Sequence, residues 1–83
     1  MTSKDIQLAT PENAMRRIAE TVAIACKYSS NTFLCTENKK INAKSLMGMM
    51  SILNGSESSL KVTAEGPDEE EAVKELAGWL AAI

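Results

Sequence analysis

Apolar and polar positions alternate from Lys4 to Ala9. Ile6 and Leu8 fall on one side and Asp5 and Gln7 on the other, the two-residue period of a strand with one face buried. From Ala14 the period changes. Met15, Ile18, Ala19, Val22, Ala25 and Cys26 recur every three or four residues, which predicts a helix running to about Tyr28. Asn13 is its expected N-cap, since a short polar side chain can accept from the free N–H groups of the first turn. Ser29, Ser30 and Asn31 interrupt this pattern. Thr32 to Glu37 then reads as a strand with Leu34 inward and Phe33 and Cys35 on the other side. A turn at Asn38-Lys39 leads into a third strand, Lys40 to Ala43, with Ile41 and Ala43 inward, so the two strands form a hairpin.

Ser45 opens a short apolar segment in which Leu46, Met47, Met50 and Leu53 recur at helical spacing. Gly48 lies inside it and weakens a helix by about 1 kcal/mol relative to Ala, so this second helix is expected to be short and marginal. Asn54-Gly55 and the serines to Ser59 read as a loop. Leu60, Val62 and Ala64 then alternate with Lys61 and Thr63 as a fourth strand that Gly66 ends. Asp68 followed by Glu71 has the spacing of a capping box, and acidic residues suit a helix start electrostatically. The last helix continues through Val73, Leu76, Ala77, Leu80 and Ile83.

The order βαββαβα predicts an α+β open-faced sandwich in one domain, residues 1–83, with a four-stranded antiparallel sheet and three helices on one face. Ile6, Leu8, Leu34, Ile41, Ala43, Leu60 and Val62 would be buried against the helices. Phe33 and Cys35 would lie on the open face, as scattered surface residues rather than a self-association patch. A chain of 83 residues has room for a single core.

Charge and composition narrow the chemistry. Nine Lys plus Arg against eleven Asp plus Glu give a net charge of -2, so no direct nucleic-acid binding is expected. No run of eighteen apolar residues and no signal-like start is present, so the expectation is a cytoplasmic protein without membrane contact. Cys26 and Cys35 sit in apolar patterns, without the spacing of a metal or redox motif, and read as ordinary thiols. No metal and no cofactor are implied. The chain contains no histidine, which removes imidazole general-base catalysis and phosphohistidine formation together. Ser45 has no histidine base, and Lys44 beside it in sequence does not make a Ser-Lys dyad, so an enzyme is not expected. One charge feature is unusual. In TPENAMRRIA, Arg16 and Arg17 sit near the start of the first helix, where the dipole is positive and cations are mildly disfavoured.

Residues Asn42 to Ile52, NAKSLMGMMSI, resemble the regulatory segment of HPr, the histidine-containing phosphocarrier of the bacterial sugar phosphotransferase system, in its low-GC Gram-positive form. AEGPDEEEA resembles the family's junction between the last strand and last helix, and CKYSS its first-helix exit, so the resemblance covers essentially the whole chain. It implies two phosphorylation sites: a histidine at the start of helix one, served by enzyme I, and the serine of the KS motif, served by an HPr kinase/phosphorylase. Counted back from Lys27-Tyr28 without a gap, the histidine position falls on Ala14, the family arginine on Arg16 and the usual proline on Arg17. It falls on Met15 if the gap is placed inside the helix, but such a deletion turns every later residue by about 100° off its face. Ala14 is preferred, and neither side chain is a nucleophile. Glu12 and Asn13 stand where the family has a glycine and an apolar residue, and Glu12 would repel a phosphate.

Ser45 matches the regulatory serine. A phosphate there would add about -1.5 to -2 charge at a helix start, beside Leu46, Met47 and Met50 as an adaptable apolar contact. The plainer reading makes Ser45 an N-cap worth about 1 kcal/mol and the Leu and Met residues core. One hydroxyl can do both. The family precedent for a serine without the histidine is catabolite-repression HPr (Crh), which is phosphorylated on serine and acts with CcpA, a transcriptional regulator. The resemblance therefore implies regulation through Ser45, with Arg16, Arg17, Leu46, Met47 and Met50 as the partner-binding surface and a kinase/phosphorylase and a CcpA-type regulator as partners. A monomer or weak dimer is expected. The alternatives are a diverged HPr-like binding module without phosphorylation, or a remnant phosphocarrier of the sugar phosphotransferase system.

Overall fold

A computed structural model describes residues 1–53 and 58–83. The Asn54-Gly55 loop expected from the sequence lies outside the described residues. In chain order the elements are β1 (Thr2–Gln7), α1 (Pro11–Arg16), α2 (Ile18–Cys26), β2 (Asn31–Cys35), β3 (Lys40–Asn42), α3 (Leu46–Ile52), β4 (Ser59–Glu65) and α4 (Glu69–Ala82). The strands make one sheet in the order β1-β4-β2-β3, and all neighbours are antiparallel.

The register explains which residues are buried. Lys4, Val62, Leu34 and Ile41 are paired across the sheet in one row, with Ile6 and Leu60 in the row on one side and Thr32 and Ala64 on the other. Paired residues share a face, so these rows form the surface that the helices cover. Val62, Leu34, Leu60, Ile6 and Ala64 are buried there with Leu76, Leu80 and Val73 of α4 and Met49 and Ile52 of α3. Lys4 ends its row at the β1 edge, exposed, as a charge that discourages further strand pairing. Phe33 and Cys35 occupy the opposite, open face, both half-buried. The Lys40 ammonium lies 4.5 Å over the Phe33 ring, so this ring is part of a polar sheet surface rather than a bare apolar patch.

Three details differ from the sequence reading. The first helix is two: α1 starts at Pro11, with Thr10 and not Asn13 as N-cap, and Arg17 separates it from α2 with φ -108 and ψ 28. Proline suits a first helical turn because its missing N–H would be unpaired there anyway, and the N–H groups of Asn13 and Ala14 then donate to the Thr10 carbonyl. The break also moves the buried stripe. It comprises Ala14, Ile18, Thr21 and Ala25, while Met15, Ala19 and Cys26 are exposed.

The capping box is also absent. The Asp68 carboxylate does not cap its own helix. It crosses to the exit of α2, where it accepts from the Ser29 and Ser30 N–H groups at 3.0 and 2.9 Å and from the Ser30 hydroxyl. Glu69, not Glu71, reaches back, accepting from the Gly66 N–H at 3.2 Å and from the Thr2 hydroxyl at 2.6 Å. Two backbone donors at the α2 exit outcompete the local cap. Gly66 makes the crossing possible: its φ is +152, and a Cβ there would stand 2.7 Å from Ser30 Cα. The third difference is in the hairpin turn. It pairs the Thr36 N–H with the Lys39 carbonyl at 2.8 Å, which places Glu37 and Asn38 at its tip.

Candidate functional site

Ser45 is the N-cap of α3, with extended backbone (φ -100, ψ 115) and its Oγ accepting from the Gly48 N–H at 3.2 Å. The residue is exposed. Its hydroxyl proton is not used by that cap, so the oxygen can serve the helix and remain an outward nucleophile. Gly48 is required where it stands, because a Cβ would lie 2.6 Å from Ile41 Cγ2 and push α3 off β3. The helix seats itself with Met49, Ile52 and Leu53, all buried. Leu46, Met47 and Met50 point away, 49, 83 and 58% exposed. The Leu and Met residues flanking Ser45 are therefore surface, and of the predicted apolar series only Leu53 belongs to the core.

The other half of the predicted site is closed. Ala14 is 0% exposed, beneath α1. Met15, the alternative position, is 41% exposed. Arg17 is engaged inside the chain: its guanidinium lies 5.7 Å over the Trp79 ring and 3.4 Å from Glu20 Oε2. Its carbonyl accepts from the Thr21 hydroxyl at 2.9 Å, and Thr21 Oγ1 in turn accepts from Trp79 Nε1–H at 2.9 Å. Thr21 is fully buried, and these two bonds are what its hydroxyl requires there. Arg16 differs from its neighbour, being exposed and without an ion-pair partner among the described residues.

The topology separates these two halves. β3 ends beside the start of β2, with the Ala43 N–H donating to the Thr32 carbonyl at 2.8 Å, so α3 begins at the end of the molecule where α2 stops. The two helices are in contact, and the Lys44 ammonium before α3 reaches the Tyr28 carbonyl past the end of α2. Ser45 thus lies at the α2 exit, while Arg16 and Arg17 lie at the α2 entrance, about one short helix length away. The α2 exit is itself anchored to α4: the Tyr28 hydroxyl donates to Glu75, and the Lys27 ammonium is 2.7 Å from the same carboxylate. That bond pushes the Tyr28 phenol up to about 12, while Lys27 and Tyr28 hold Glu75 below the usual carboxylate value. Sequence reasoning missed this support and the cluster around Trp79. The one available signal was Trp79 itself, the single tryptophan of the chain and one turn from the helix end.

Two open concavities, of about 510 and 570 Å³, lie elsewhere. One is on the open sheet face near Asp5, Cys35 and Lys61, and the other is between α2 and α4 near Ile24, Gly78 and Trp79. Ser45 lines neither. It is exposed on the surface outside both, where another protein can reach it.

Known proteins share this fold. The family model described as "PTS HPr component phosphorylation site" matches residues 3–82. The HPr-like protein Crh of Halalkalibacterium halodurans is 35% identical over 81 residues, 96% of this chain and 96% of that protein. The crystal structure of HPr-C-His from Thermoanaerobacter tengcongensis superposes with a TM-score of 0.85 at 39% identity, covering 99% of this chain and 93% of that one. The crystal structure of Bacillus subtilis Crh, an intertwined dimer with a swapped domain, gives a TM-score of 0.74 at 37% identity, over 82% of this chain and 78% of that one. With a family match along nearly its whole length, a four-stranded sheet of the same kind and Crh among its relatives, the chain belongs to the HPr family.

Proposed function

We propose that this chain is a regulatory HPr-family protein that carries phosphate on Ser45 and does not take part in histidine phosphotransfer. The observation that carries the reading is Ser45 itself, an exposed hydroxyl flanked by exposed Leu46, Met47 and Met50, in a chain with no histidine. In the reaction, Ser45 Oγ attacks the terminal phosphoryl group of ATP, its proton is released and ADP leaves, under catalysis by an HPr kinase/phosphorylase. The product adds a dianion beside an apolar patch, a combination that a CcpA-type regulator in carbon catabolite control would read through cationic and apolar contacts of its own. The phosphorylated site is built for recognition rather than for onward transfer, since a serine phosphate ester is a far poorer phosphoryl donor than a phosphoimidazole.

Mass spectrometry after incubation with the host kinase and ATP tests this. One phosphate on the wild-type chain and none on Ser45→Ala is the expected result. An unmodified wild-type chain beside an HPr substrate that the same kinase modifies would overturn it.

A second reading, an HPr-like binding module without phosphorylation, draws on Arg16, a cation without an ion-pair partner among the described residues, next to exposed Met15. Under that reading Arg16→Ala loses the partner in a pull-down while Ser45→Ala keeps it. Among the described residues no helix is long and apolar enough to cross a membrane. A cytoplasmic monomer or weak dimer is proposed, with light scattering across concentration as its test; a stable intertwined dimer, as in Bacillus subtilis Crh, would contradict it.

A further inference from the structure

Lys44 precedes Ser45, yet its side chain does not join the surface around that serine. The ammonium runs back to the end of α2 and donates to the Tyr28 carbonyl at 2.8 Å in a partly buried contact. Tyr28 is the first residue past the α2 C-cap, so its carbonyl lies just beyond the negative end of the helix, where a cation is favoured. The backbone beside it is held as well. The Lys44 N–H donates to Asn42 Oδ1 at 2.9 Å and the Ser45 N–H to the Asn42 carbonyl at 3.0 Å. Tyr28 is in turn fixed by Glu75 of α4. A continuous series of contacts therefore runs from α4 through Tyr28 to Lys44 and ends one residue before the hydroxyl.

We propose that Lys44 is a positioning residue for Ser45, its tether to the Tyr28 carbonyl holding the serine in the extended backbone that presents Oγ to an incoming kinase. A lysine ordered in this way gives up rotamer freedom that a surface lysine ordinarily keeps, and the carbonyl contact offsets that loss. The need for a tether follows from α3 itself. Seven residues with a glycine in the first turn make too weak a helix to fix its own first residue. The anchor replaces length. It also leaves the ammonium occupied, so Lys44 acts through the geometry of Ser45 and not as a ligand of the phosphate.

This inference rests on phosphorylation at Ser45, and its test separates the two. Lys44→Met and Lys44→Arg are compared with the wild-type chain in kinase kinetics and in amide hydrogen exchange of the free protein. Lys44→Met should exchange the Gly48 amide about tenfold faster, since that N–H is bonded to Ser45 Oγ, while α4 amides keep their wild-type rates. Its kcat/KM for phosphorylation should fall about tenfold or more, as a displaced nucleophile costs rate. Lys44→Arg, which retains a cationic donor, should restore most of both. A slower reaction with unchanged Gly48 exchange would make Lys44 a direct kinase contact and overturn the proposal, as would faster exchange with an unchanged rate. A wild-type chain that an active kinase leaves unmodified overturns the phosphorylation reading instead, and Gly48 exchange then decides alone whether Lys44 anchors the segment.

Discussion

The α1–α2 junction and the entrance of α3 are the two helix starts at which the HPr resemblance implies phosphorylation positions, yet they are built in opposite ways. At the junction the proposed acceptor position, Ala14, is fully buried, and the nearby cation of Arg17 is committed to Trp79 and Glu20. At the α3 entrance the hydroxyl is exposed, three apolar side chains surround it unburied, and Lys44 braces the segment from behind. A helix dipole is common to both and so distinguishes neither. What separates the two is whether a nucleophile reaches solvent.

The strongest way to break this contrast is to put the missing histidine back. Ala14→His would force an imidazole into a position with no exposure, and overpacking together with burial of a polar ring should cost about 3 kcal/mol, read as a lower urea midpoint. No phosphohistidine should form with enzyme I and phosphoenolpyruvate. A variant with the wild-type midpoint that accepts phosphate would show that the junction is merely mutated and not rebuilt. Restoring the proline at Arg17 should also fail. The Arg17 N–H donates to the Asn13 and Ala14 carbonyls at 3.0 and 3.3 Å, and φ is -108 where proline needs about -65°. Arg17→Pro is expected to lose about 2 kcal/mol in the same urea experiment. A gain in stability would mean that this break is not what holds α1.

Acid should act on the α3 side first. The Thr2 hydroxyl and the chain's amino group hold Glu69 down at about 2, the Ser30 and Ser29 donors lower Asp68, and Lys27 and Tyr28 lower Glu75. Each folded carboxyl is more acidic than its unfolded counterpart, so its contribution is present above the unfolded value and is lost as the pH falls through the folded one, which for Glu69 is about 2. Glu75 holds Tyr28, and Tyr28 receives Lys44. As the pH falls below about 4.5, amide protection relative to the intrinsic exchange rate should therefore drop around Tyr28, Ser30 and Ser45 before it drops in β4. Uniform loosening across all four strands would remove the special role of this shelf.

Much of this contrast was legible in the sequence, and its blind spots have physical causes. Strict alternation in Ile6, Leu8, Leu34, Leu60 and Val62 identifies the buried sheet face because a one-residue slip would expose the whole set. NAKSLMGMMSI located Ser45, since its cap and its glycine depend on local geometry. The break at Arg17 was hidden because an apolar spacing of three and four continues through it; only Pro11 and the buried Thr21 betray the altered phase. Asp68 misled for a different reason. It has a plausible local role as a cap and instead serves Ser30, far away in the sequence, and the reach of Lys44 to Tyr28 is likewise encoded in no local pattern. Whether Leu46, Met47 and Met50 were core or surface was likewise open from spacing alone, because a seven-residue helix shows barely two turns of its pattern.

That last ambiguity gives the smallest expected effect on stability. Met47 is 83% exposed, while Met49 two residues on is completely buried, so one helix turn carries a surface methionine and a core methionine side by side. Met47→Ala leaves no cavity and should change the unfolding free energy by less than about 0.5 kcal/mol. If the exposed side chain exists for a partner, its removal should instead weaken binding of the Ser45-phosphorylated chain to a CcpA-type regulator by about tenfold, as truncation of an interface anchor does. Titration calorimetry with the purified regulator reads the second quantity and a urea curve the first. A loss of stability without a loss of binding would return Met47 to the core of this small helix and leave Ser45 without an apolar neighbour that a partner can grip.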